Sequence, residues 1–86
     1  MKTLPQSWAF EERMGYKWAD PEKNNGIALR VQKIADSYYK AEIMILDEAK
    51  EKRSWSCGLW CNSATEDKAI EAVEQYAVSC GMCELL

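Results

Sequence analysis

No histidine occurs in this chain of 86 residues, which excludes Ser-His and Cys-His nucleophile pairs, histidine-ligated zinc and a histidine pH switch. Glycine is scarce: of the four, Gly26, Gly58 and Gly81 stand isolated, so there is no phosphate-binding loop. Long apolar runs are missing as well. MKTLPQSWAF lacks the core of a signal peptide, and no stretch is long enough to span a bilayer. The expected location is therefore the cytoplasm, with cysteines reduced. Basic residues thin out along the chain. Residues 54–86 hold one, Lys68, against Glu66, Asp67, Glu71, Glu74 and Glu84, so the last third carries more than the whole chain's net charge of −3. Without a lysine and arginine stripe to displace phosphate counterions, direct nucleic-acid binding is not expected, nor is docking on an anionic membrane.

No enzymatic constellation emerges. Asp47/Glu48 and Glu11/Glu12 fall in loop or solvent-facing settings, and serines and threonines have no base beside them. The chain reads as a non-enzyme.

What is present is enough apolar content, 48%, for one small core and a single domain over 1–86. Ser63-Ala64-Thr65-Glu66 fits a capping box, and Gly81 is a natural stop, so a helix is expected over 64–80. Its apolar face collects Ala69, Ile70, Ala72, Val73, Tyr76, Ala77 and Cys80, and Asp67, Glu71 and Glu74 line the other. Before it, 26–61 contains three runs of period two, the pattern of half-buried strands. Their odd positions are apolar: Ile27, Leu29, Val31; Tyr39, Ala41, Ile43, Ile45; Trp55, Cys57, Leu59, Cys61. Short polar links, 35–37 and 47–52, point to antiparallel hairpins. Residues 1–25 read as a helix WAFEERM capped by Ser7 or as irregular chain, with a short strand at Tyr16–Trp18 as the alternative. The expected fold is α+β, a three-stranded antiparallel sheet packed on a C-terminal helix in the order (α)-β-β-β-α.

The four cysteines allow three readings: a zinc site, core thiols or a disulfide. C-x3-C at Cys57 and Cys61, then C-x2-C at Cys80 and Cys83, has the residue types of a four-thiolate zinc site, which would make this a small zinc-stabilised module. Against zinc, four residues of strand span roughly 13 Å, too far for Cys57 and Cys61 to share an ion, and Cys80 falls in the apolar stripe of the helix. The expectation is core cysteines and no cofactor, with zinc as the alternative.

The even strand positions hold a second apolar set: Ile34, Tyr38, Met44, Leu46 and Trp60. The expected cover is the N-terminal segment, through Trp8, Phe10 and Trp18. Left open, this face would bind a protein partner or a second copy of the chain, with Trp60, Tyr38 and Met44 as anchors. Asp67, Glu71 and Glu74 form either a solvated helix face or an acidic ridge suited to a basic protein groove.

The order α-β-β-β-α resembles that of double-stranded-RNA-binding domains. Where that family opens its second helix with a lysine cluster, this chain has Ala64-Thr65-Glu66-Asp67-Lys68, so the resemblance implies an adaptor of that topology rather than RNA binding. In size, acidity and layout, and in the tail EQYAVSCGMCELL, the chain also resembles phage-encoded anti-CRISPR proteins, including a small type II-C family. That resemblance implies an inhibitor in the host cytoplasm whose partner, such as a CRISPR-Cas effector, presents a basic surface. The contacts would be Asp67, Glu71 and Glu74 with Trp60, Tyr38 and Met44.

Overall fold

The structure, a computed structural model, describes residues 2–47 and 54–85, with side chains described at all of these except 46, 47 and 54–57. A single sheet of five strands is built as an uninterrupted antiparallel meander: β1 (Phe10–Arg13), β2 (Tyr16–Ala19), β3 (Ile27–Ala35), β4 (Tyr38–Asp47) and β5 (Ser54–Ser63). One helix, α1 (Glu66–Ser79), follows. The expected three-stranded sheet is thus corrected to five strands, and the N-terminal helix to a hairpin. Arg13 pairs with Tyr16 across Met14-Gly15, and Gly15, at φ +86°, supplies the left-handed backbone that the tight turn needs. With four residues per strand this hairpin has no persistent pattern of its own. It gains its place from β3, where Lys17, Trp18 and Ala19 pair with Val31, Arg30 and Leu29. The likeness to the RNA-binding topology ends here, because its first helix is replaced by β1 and β2.

The three longer strands follow the period-two reading. Ile27 faces Ile45, Leu29 faces Ile43 and Val31 faces Ala41 across β3 and β4, and Ala41 and Ile43 continue to Cys61 and Leu59 on β5. On the inner face so formed, Ile27, Leu29, Val31, Ala41 and Ile43 are buried against Ala69, Val73 and Ala77 of α1. Small residues at these helix positions let α1 approach the sheet closely. Trp55, Cys57 and Leu46, also assigned to faces from the sequence, lie outside the described side chains. The register shifts between Ile45 and Leu46, which pairs with Trp55. Most of the 47–52 link lies outside the described residues.

Both ends of α1 are set by local chemistry. Thr65, not Ser63, is the N-cap, its Oγ1 accepting from the Lys68 amide at 3.2 Å, and Glu66 and Asp67 follow where negative charge is favoured. Gly81, at φ +74°, ends the helix in a Schellman arrangement, with Gly81 N–H donating to Val78 O and Met82 N–H to Ala77 O. Two positions of the expected apolar stripe are corrected by this geometry. Cys80 is exposed as the C-cap, and Tyr76 stands 45% exposed at the margin of the sheet.

The N-terminal segment takes an unexpected course. Leu4 N–H donates to Glu84 O and Glu84 N–H to Lys2 O, each at 2.9 Å, so the two ends of the chain pair as a short parallel bridge. Leu4 and Cys83 are thereby buried, and Trp8 and Phe10 pack against the same core as the helix. The expected cover of the opposite sheet face is therefore corrected: Trp8 and Phe10 were recruited to the helix side because the termini close there. Asn24 holds the connection. It is fully buried; its Oδ1 accepts from Ala9 N–H at 2.8 Å, while its Nδ2 donates to Asp20 O at 2.7 Å and to Ala9 O at 3.3 Å. One side chain thus ties the entry to β1 to the 3-10 turn, Pro21–Lys23, between β2 and β3.

Candidate interaction surfaces

Two surfaces carry the residues singled out from the sequence, and they lie on opposite sides of the molecule. The first is the outer face of the sheet. The helix packs on the other face; on this one Ala28 is fully buried, while the positions around Trp60 are open. Pairing places Trp18 beside Arg30, Arg30 beside Glu42 and Glu42 beside Trp60, a row crossing four strands with an indole at each end. In its middle Arg30 Nη2 is 2.8 Å from Glu42 Oε1. Each indole also meets a cation: Arg13 Cζ lies 5.7 Å from the Trp18 ring centre and Lys40 Nζ 5.0 Å from that of Trp60. Tyr38 belongs to this face too, its hydroxyl accepting from Asn62 Nδ2 at 2.7 Å. Trp60 is 53% exposed, Tyr38 43%, and Ile34, at a bulge in β3, 50%. Met44 is half-buried beside Gly58.

Sequence reasoning found Trp60, Tyr38 and Met44 and assigned Trp18 to this face as part of its cover, where it lies as a strand residue instead; it missed Arg30, Lys40, Glu42 and Asn62 as their neighbours. Parity held the signal, since all of these are even-numbered like Trp60. Weighing only apolar residues on that face hid the polar frame. Arg30, Lys40 and Arg13 against Glu42 and Glu11 leave the outer face slightly basic within an acidic chain.

The second surface is the exposed side of α1. Asp67 and Glu71 are solvent-exposed. Glu66 reaches back to the sheet, its Oε1 2.8 Å from Lys17 Nζ, and that hydrogen bond raises the Lys17 pKa. Glu74 departs from the expected ridge because it is half-buried. Burial raises its pKa above the ordinary carboxylate value, the charge of Glu71 adds to the effect, and the Trp8 indole opposes it. The buried indole N–H meets the Glu74 carboxylate as an electrostatic neighbour, outside hydrogen-bond geometry. The acidic ridge is therefore Asp67 and Glu71, with Glu74 drawn inward to the N-terminal strap.

The cysteines occupy different surroundings. Cys61 is half-buried under the helix, Cys80 exposed and Cys83 buried in the tail, all as free thiols. Burial raises the pKa of Cys61 and Cys83, which disfavours the thiolate that zinc requires. Cys57 lies outside the described side chains. Among the described residues no group of three or more potential ligands is arranged around a common point, and no helix is long and apolar enough to cross a membrane.

No protein-family model matches the chain, and neither the curated proteins nor the solved structures give a match.

Proposed function

We propose that this chain is a non-enzymatic protein-binding protein that works through the outer face of its sheet. The observation carrying the reading is the exposure of Trp60 and Tyr38 on a face over which, among the described residues, the helix does not pack. Exposed aromatic side chains held by neighbouring polar pairs are the anchors that protein interfaces favour. Arg30–Glu42 and Tyr38–Asn62 fix the side chains around Trp60, so little ordering entropy is lost on binding.

In its specific form the protein is an inhibitor, encoded by a phage or mobile element and acting in the host cytoplasm, of a complex that handles nucleic acid, such as a CRISPR-Cas effector. The exposed pair Asp67 and Glu71 supports this part, because carboxylates on a rigid helix suit a basic groove. The test is DNA cleavage by a purified type II-C CRISPR effector with and without the protein. Inhibition that is relieved by Asp67→Lys/Glu71→Lys and by Trp60→Ala is the expected result. Undiminished cleavage contradicts the specific form, and inhibition insensitive to these changes contradicts the assigned contacts.

A further inference from the structure

The two edges of the sheet are unequal. β1, at one edge, is four residues long and carries Glu11, Glu12 and Arg13, the charged short strand by which proteins block unwanted pairing. β5, at the other, runs ten residues as SWSCGLWCNS with no charged side chain and no proline. Among the described residues nothing pairs with its outward side. Half-exposed aromatics flank this edge on both faces, Trp60 outside and Tyr76 on the helix, and together with Gly58 and Leu59 they line a recess.

Gly58 is the second observation. Glycine inside a strand is unfavourable and commonly marks the close approach of another chain. Nothing among the described residues requires it. The residue is not in the left-handed region, and a Cβ there would make only ordinary contacts, 3.6 Å to Met44 Cγ and 3.9 Å to Glu42 Oε2. The missing side chain therefore leaves room on the outer face beside Trp60.

We infer that β5 is a dimerisation edge, along which a second copy of this chain adds antiparallel to make one continuous ten-stranded sheet. The strand is complementary to itself about Leu59. In that register position 60 of each copy lies opposite position 58 of the other, so each Trp60 indole packs over the partner's Gly58, a recognised way for an aromatic to compensate a strand glycine. Position 57 falls opposite 61, and 56 opposite 62. No like charges meet, although each chain carries a net charge of −3. Such pairing is isologous and closes at two copies, since the charged β1 edge offers no continuation.

The test is the solution mass of the full chain by sedimentation and light scattering over about 1 to 100 µM, the range in which associations of moderate strength are read. A particle of twice the 9.9 kDa chain mass is expected. Gly58→Lys, which sets a charge in the place of the indole, and Trp60→Lys should each weaken the dimer by at least about tenfold, with far-UV circular dichroism unchanged. A monomer across the whole range, assemblies growing beyond two copies, or a dimer that neither folded variant weakens would each overturn the inference.

Discussion

Arg30 and Glu42 face each other across β3 and β4, with Nη2 and Oε1 2.8 Å apart, and form the polar centre of a row that ends in Trp18 and Trp60. Opposite charges directly across an antiparallel pair stabilise by a few tenths to about 1 kcal/mol, and like charges reverse the sign. Arg30→Glu should therefore lower stability by about 1 kcal/mol in urea denaturation, and adding Glu42→Arg should restore most of it. An uncoupled pair of effects in that cycle would show that the two side chains do not interact in solution.

Asn24 is a separate point of vulnerability. Three hydrogen bonds end on its buried side chain, so Asn24→Ala takes a partner from the amide and carbonyl of Ala9, while the carbonyl of Asp20 keeps the Lys23 N–H. The expected loss is about 2 to 3 kcal/mol, the cost of stranding buried polar groups, read as a lower urea midpoint with the slope unchanged. A variant as stable as the parent would mean that water replaces the amide readily.

Glu74 sets a pH dependence. Its pKa is raised in the folded chain, so the folded state holds this proton more tightly than the unfolded state does. As pH rises from the ordinary value of 4.5 through the raised one, this group's contribution to stability falls, and above the window the cost of a half-buried carboxylate is fully present. Glu74→Gln should therefore be more stable than the parent at pH 7, with the advantage vanishing as the pH drops below 4.5. Paired thermal melts at the two pH values check this. An advantage independent of pH would assign the effect to something other than ionisation.

The inner face of the sheet was legible in the sequence because strand parity is a local signal. Ile27, Leu29, Val31, Ala41 and Ile43 alternate without interruption and are all buried, although Ala28 between the first two is fully buried as well. Of the β1–β2 hairpin only β2 was legible, as the alternative strand at Tyr16–Trp18; β1 was not. Phe10-Glu11-Glu12-Arg13 has the composition of a helix turn, and its strand conformation is selected by pairing with β2 and, through β2, with β3. Glu74 shows the same limit on the candidate site. Helical spacing placed it with Asp67 and Glu71, whereas its burial depends on Trp8, which reaches it only because the chain termini pair. Cys80 departs from its expected core position because the helix ends at Ser79, while the turn at Gly81 carries Cys83 into the core as expected.

The outer face offers the most direct test of the central claim, that it is a working surface rather than an unfinished core. The measurement compares Tyr38→Ala/Trp60→Ala with the parent in thermal stability and in co-precipitation of a partner that the parent retains after salt washes. Both side chains are about half exposed, so the melting temperature should fall by only a few degrees, the shift of a surface change of about 1 kcal/mol or less in a domain this small, while the partner is lost. Retention of the partner by the folded double variant, or collapse of the fold itself, would contradict the account.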